Sequence, residues 1–292
     1  MKTLFLSLAV FLFSAISAAI PNENKIIWAV VDWPPYFFVS GDKAGQGYVE
    51  KIHHLLIAKM PEYQHEVINM PWQNFFPAIA SGRSLCNPAV LATAERKKNA
   101  YMTAWFVIPP PQFVISRKTW REKFKQAPEL SLEELLKNKT LRPGFAINRS
   151  YSDDLDKILS KYLVKPRDYL NQSVEGSSTI INMVGRGDVD YAVEYPLVAE
   201  YQVLNKQAIG DLVSIPIKEA PKPREVYVAC TKNAWGKKII TSVDKVMQNL
   251  ILDENFRNNY ESWFSKTLLD KYRADINQFY KTRSSGSMII KE

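Results

Sequence analysis

Polar side chains suited to meeting a ligand stand just past two apolar runs of this 292-residue chain: Thr93 and Arg96 after Ala89-Val90-Leu91-Ala92, and Glu194 after Val189 to Val193. A guanidinium and a hydroxyl offer hydrogen-bond donors, and a carboxylate offers acceptors. Ligands of open α/β sheets bind at the carboxyl ends of the strands, where these residues would lie. Other chemistries find less support. His53 and His54 are adjacent, so on a helix they point about 100° apart and do not form the i, i+4 pair that holds zinc. Neither a Gly-x-Ser-x-Gly elbow nor a phosphate-binding P-loop is present, and no Cys/His spacing suggests a metal. No cofactor is expected.

The elements that must position these groups follow one pattern used twice. Phe75, Phe76, Ile79 and Ala80 lie at helical spacing before Gly82-Arg83, and Ile180, Ile181, Met183 and Val184 precede Gly185-Arg186 and Gly187. Glycine just past a helix accepts the left-handed conformation that ends it, so each segment reads as helix, tight turn, buried strand. Two similar lobes with a cleft between them are the economical explanation. Upstream, Ile26 to Val31 is a buried-strand run that ends at Asp32-Trp33-Pro34-Pro35-Tyr36. Its two prolines fix an extended turn from which the aromatic rings project. Gly41, Gly45 and Gly47 mark a hairpin-like excursion before a helix from Val49 to Met60, and Val67 to Met70 reads as the next strand.

Beyond Pro109-Pro110-Pro111, Phe113-Val114-Ile115 would cross between lobes, and Leu212 to Ile217 would carry the chain back, after which Val226 to Ala229 adds a strand to the first lobe. Ser131 and Glu134 have the spacing of a capping box. Phe145-Ala146-Ile147 reads as a strand, and Asn148 to Ser152 leads into a helix with Leu155, Ile158 and Leu159. Helical segments Trp235 to Leu252 and Phe256 to Phe264 complete the core, leaving a largely polar, mobile tail from Thr282 to Glu292.

Lys2, the apolar run Leu4 to Phe13 and the small residues Ser14 to Ala19 have a signal-peptide layout, with cleavage after Ala18 or Ala19. The mature chain of about 270 residues exceeds what one core organises, so size also argues for two lobes. Loss of Lys2 takes the net charge from +8 to +7 (8 − 1), and the cations are scattered apart from Arg96-Lys97-Lys98, which argues against nucleic acid as a partner. Cys86 and Cys230 each border an apolar run. In an exported chain they are read as a disulfide joining neighbouring strands, the alternative being two buried thiols.

Taken together, Pro34-Pro35-Tyr36, the segment Leu91-Ala92-Thr93-Ala94-Glu95-Arg96, the turn Arg149-Ser150-Tyr151 and Glu194 resemble the periplasmic solute-binding proteins of family 3, amino-acid-type receptors of ABC importers. The resemblance covers nearly the whole mature chain. It implies an α/β, two-lobed type II periplasmic-binding fold with a hinge and an interlobe cleft. Residues 1–19 would be the signal peptide, 20–113 with 217–270 lobe 1, 114–216 lobe 2, and 271–292 a C-terminal extension, with hinge crossings near 113–117 and 213–217. By the same resemblance Arg96 would clamp a carboxylate with two parallel hydrogen bonds. Ser150 and backbone N–H groups at the following helix start would share that anion. Leu91, Thr93 and Tyr151 fall at ligand-contacting positions, Tyr36 together with Trp33 or Trp72 would stack on the ligand body, and Glu194 would meet an amino group.

The chain departs from the family pattern where Leu91 replaces a hydroxyl residue, Arg149 a glycine, and Glu194 an aspartate. The implied function is capture of a small carboxylate-bearing solute, without catalysis, by a monomer that hands it to an ABC permease or presents it to a signalling receptor at the inner membrane. The alternative is a dehydratase-like enzyme on the same fold, with Glu194 as general acid.

Overall fold

The computed structural model describes residues 23–124, 126–146, 149–163, 177–205 and 210–291. The signal-peptide segment, Ile147 and Asn148 lie outside them. Among the described residues no helix is long and apolar enough to cross a membrane.

The first sheet contains β1 (Lys25–Val30), β2 (Gln64–Asn69), β3 (Cys86–Val90), β4 (Ala100–Ile108) and β9 (Arg224–Thr231), in the order β2-β1-β3-β9-β4. β1 is parallel to both β2 and β3, while β9 runs antiparallel between β3 and β4. Alternate residues of β1 serve two cores: Ile26, Trp28 and Val30 pack on one face, Ile27 and Ala29 on the other. A strand covered on both faces must read as a continuous apolar run, which is why Ile26 to Val31 lacks a polar alternation. Helices α1 (Tyr48–Ala58), α8 (Ala234–Leu250) and α9 (Glu254–Glu261) supply the larger core, and α2 (Trp72–Ala80) covers the other face.

The second sheet contains β5 (Phe113–Arg117), β6 (Pro143–Gly144), β7 (Tyr191–Glu194) and β8 (Leu212–Pro216), in the order β6-β7-β5-β8. It is flanked by α4 (Leu132–Lys137), α5 (Asp153–Tyr162), α6 (Ser177–Arg186) and α7 (Pro196–Leu204). The chain passes between the sheets twice, from β4 to β5 and from β8 to β9. This two-sheet, two-crossing α/β architecture is the type II periplasmic-binding fold.

The repeated helix ends have the same geometry. After α2, Gly82 has φ +87° and the Arg83 N–H donates to the Ala78 carbonyl at 3.0 Å; after α6, Gly187 has φ +87° and the Asp188 N–H donates to Met183 at 2.9 Å. Both are Schellman-type closures that only glycine enters without strain. The closing glycine of the second copy is therefore Gly187, and Gly185 remains inside the helix.

Three local expectations are corrected. The capping box at Ser131 does not form: Ser131 Oγ accepts from the Glu134 N–H, but the Glu134 carboxylate turns to Lys137, and Glu219 accepts from Ser131 Oγ (2.6 Å) and the Leu132 N–H (3.0 Å) instead. The glycine-rich excursion is not a strand hairpin but a turn-filled loop, tied to α1 by Glu50, which accepts from the Phe38 and Gly47 N–H groups.

The tail is not a loose polar segment. Helix α10 (Lys266–Ser285) continues through it, burying Tyr272, Ile276, Phe279, Tyr280 and Arg283. Arg283, fully buried, pairs with Asp244 at 2.9 Å, and Asp244 also accepts from Thr103 Oγ1 and the Met288 N–H. Ile289 then bridges to Thr103, and the Ile290 N–H donates to Met102, so the chain end adds a short pairing along the open edge of β4.

Cys86 and Cys230 are disulfide-bonded. They sit directly opposite each other in the β3/β9 ladder, so the bridge fastens the returning strand to the early part of the sheet.

Candidate functional site

The loop after β1 carries Trp33 and Tyr36, whose rings stack 4.3 Å apart at 18°. Tyr36 is buried, and both its hydroxyl and the Trp33 indole N–H lack a hydrogen-bond partner among the described residues. Burial raises the Tyr36 hydroxyl well above the ordinary tyrosine range. Facing them from the other lobe is Tyr195, at the start of α7, with its ring 5.8 Å from each. Tyr195 and Val198 pack into the first lobe's main core. Lys43 Nζ donates to Tyr201 Oη and Asn205 Oδ1, both at 3.1 Å, and Phe38 packs edge-on against Tyr201. The two lobes are thus in contact along the cleft.

Arg96 opens the short helix α3 (Arg96–Asn99), and its backbone N–H donates to Thr93 Oγ1. Its half-buried guanidinium donates to the Leu91 carbonyl at 3.2 Å and lies 4.4 Å over the Phe76 ring. Among the described residues no carboxylate comes within ion-pair distance of it. Burial, reinforced by the like charge of Arg149 and opposed by Asp156, pushes the guanidinium down to about 10. Thr93 is the structural support of Arg96, and Leu91 presents its carbonyl. Trp72 stacks on the same Phe76 ring from within α2, 5.9 Å away, and so lies one ring removed from Arg96.

The second-lobe residues divide differently. Glu194, at the end of β7, is buried and bound by Arg149 in a two-pronged pair, Nη1 to Oε2 at 2.6 Å and Nη2 to Oε1 at 2.7 Å. Its Oε1 also accepts from the Tyr195 N–H at 2.8 Å. Burial works against the charge of Arg149, but Glu194, through its charge and its hydrogen bonds, holds that guanidinium above its ordinary value. The guanidinium carbon lies 5.5 Å over Trp33 and 4.9 Å over Tyr151, linking the lobes. The carboxylate read as an acceptor for a ligand amino group is thus engaged within the protein.

Ser150 is engaged too: its Oγ donates to Asp156 Oδ2 at 2.5 Å, while the Tyr151 N–H donates to Oδ1 at 2.8 Å. The helix that follows is capped by Ser152, not Ser150. Tyr151 is buried, with its hydroxyl accepting from the Ala146 N–H, and burial raises that hydroxyl to about 12. The sequence motifs do not single out Asp156, mark Tyr195 only as a neighbour of Glu194, and mark Arg149 only as a substitution within the Arg149-Ser150-Tyr151 turn. An arginine next to a serine-bearing turn, with a glutamate at the end of a later strand, was the available signal for the pair.

The chain matches the family model of bacterial extracellular solute-binding proteins, family 3, over residues 26–266. It belongs to that family. Solved structures agree on the fold of this solute-binding protein. The arginine-, lysine-, histidine-binding protein ArtJ of Geobacillus stearothermophilus is 16% identical, with a TM-score of 0.62 over 85% of this chain and 98% of that one. An ancestral arginine-binding protein bound to glutamine is 19% identical, with a TM-score of 0.62 over 82% and 98%. The ancestral amino acid-binding protein AncCDT-1, a precursor of cyclohexadienyl dehydratase, is 15% identical, with a TM-score of 0.61 over 83% and 96%. No curated protein matches the chain in sequence.

Proposed function

We propose that this solute-binding protein captures a small carboxylate-bearing solute between its lobes, with Arg96 as the carboxylate anchor. The observation that carries this reading is a half-buried guanidinium on the cleft side of β3 that has lost water without gaining a carboxylate. A bound anion would restore that lost solvation, and the planar fork of arginine suits two parallel bonds to a carboxylate. The stack of half-buried Trp33 on buried Tyr36 supplies an apolar wall for the ligand body.

The setting is the periplasm, reached by cleavage of the signal peptide within residues 1–19. Lobe 1 comprises 20–113 with 217–270, and lobe 2 comprises 114–216. The closed, loaded monomer is delivered to an ABC permease, since closure makes contacts to both lobes at once and gives a permease a distinct conformer to read. Amino-acid ligands named for the solved relatives support a carboxylate as the recognised group. Glu194 is a poor general acid for the dehydratase alternative, because its two oxygens already accept three hydrogen bonds.

A thermal-shift screen against small carboxylates, followed by calorimetry, tests the reading. Arg96→Lys should weaken the binding of any hit about 10- to 100-fold, the loss expected for a charge-assisted hydrogen bond, with the melting temperature of the free protein nearly unchanged. Equal affinity in the variant removes Arg96 from the site. Mass analysis of each mixture would reveal conversion if the protein were an enzyme.

A further inference from the structure

We propose that Arg149 acts as a built-in cation that occupies the amino-group position of the cleft, so that the solute is a carboxylic acid without an amino group. This rests on the carboxylate reading of Arg96. Its own support is the bidentate pair with Glu194, whose side chains are only 16% and 3% exposed.

A ligand ammonium needs acceptors in a cleft that excludes water. At the end of β7 the only carboxylate, Glu194, has each oxygen bound by a guanidinium nitrogen, and one of them also by the Tyr195 N–H. The aromatic faces that attract a cation are used in the same way, since Arg149 lies over both Trp33 and Tyr151. An incoming ammonium would have to break a buried ion pair, and removing one partner of such a pair leaves an uncompensated charge. It would also approach two guanidinium groups, Arg149 and Arg96, which already oppose each other's charge. A carboxylate meets the opposite field.

Two further acidic groups act on Arg96: Glu95, exposed on the same turn, and the half-buried Asp156. The Asp156 oxygens are engaged by Ser150 Oγ and the Tyr151 N–H, and burial raises its carboxyl above the ordinary range, which disfavours the charged form an ammonium requires. Among the described residues, the buried part of the cleft therefore presents one guanidinium without a carboxylate, Arg96, and two carboxylates already engaged, Glu194 and Asp156.

The test uses matched pairs that differ only in the α-amino group: phenylpropanoate against phenylalanine, and pentanoate against norvaline, titrated into the wild-type protein by calorimetry. The expected result is at least about tenfold tighter binding of the acid lacking the amino group. Equal or tighter binding of the amino member overturns the inference alone and points to Asp156 as its partner. If neither member of any pair binds, the carboxylate reading falls and the inference falls with it. Arg149→Ala should reverse the preference by freeing Glu194, and a folded Arg149→Ala protein that still rejects the amino member also overturns the proposal. The wild-type comparison stands by itself if that variant does not fold.

Discussion

His53 illustrates how a residue with several chemical uses is reduced to one by its surroundings. It is buried within α1, edge-on to Trp28 with ring centroids 4.5 Å apart, and its Nε2 has no hydrogen-bond partner among the described residues. Desolvation, with smaller contributions from His54 and His65, lowers its pKa to about 3. Because the folded value lies below the unfolded value of about 6.5, the unfolded chain binds the proton first. Stability is thus fully present above pH 6.5 and is lost as the pH falls toward 3, at up to about 1.4 kcal/mol per pH unit from this one group. His53→Leu should flatten that limb of a denaturation series between pH 6.5 and 3.5; an unchanged slope would assign the acid sensitivity to other groups. At the same scale, Arg96 and Arg149 separate two arginines that look alike in sequence. Among the described residues, the Arg149 guanidinium has an internal carboxylate and that of Arg96 does not.

Among the elements, α10 shows what a helix beyond the family match contributes. The match ends at residue 266, where this helix begins. Its apolar side closes over α8 and β4, and Arg283 reaches an Asp244 already held by Thr103. The net lies under the edge of β4, an edge strand whose free backbone groups would otherwise invite pairing with another chain. Arg283→Ala leaves Asp244 buried without its cation, a loss expected to cost about 3–5 kcal/mol. A fall in the urea midpoint by that equivalent is expected, and a change under about 1 kcal/mol would show that the buried pair contributes little.

Across the whole molecule, the Cys86–Cys230 bond joins residues 144 apart in sequence and so closes about half of the 292-residue chain, second lobe included, into one loop. A loop of that length restricts the unfolded ensemble strongly, and removing a native bond of this kind typically costs about 2–5 kcal/mol. The Cys86→Ala/Cys230→Ala double variant should melt correspondingly lower, while keeping its affinity for a carboxylate ligand, because the bond lies within the sheet rather than at the cleft. A variant of unchanged affinity and lower melting temperature separates the scaffold from the site; a lost affinity would mean that β3 no longer presents Arg96 correctly.

By itself the sequence determined whatever depends on neighbours along the chain. The apolar run of β1, the glycine closure at Gly82, the proline-fixed loop carrying Trp33 and Tyr36, and the strand run ending at Glu194 are local patterns, because backbone conformation and face periodicity are set within a few residues; the second closure was legible at Gly185-Arg186, and the structure puts it at Gly187. Tertiary structure decided which of the marked polar groups find partners. Glu194 and Arg149 are 45 residues apart, and only the parallel pairing of β6 with β7 in one lobe brings the segment that follows β6 to the end of β7. The acceptor that replaces Glu134 at the Ser131 helix start is Glu219, 88 residues away, and the tail is ordered by Asp244 and Thr103 on α8 and β4. Hydrogen bonds and ion pairs of this kind act over about 3 Å, so their partners are set by three-dimensional proximity, which spacing along the chain does not encode.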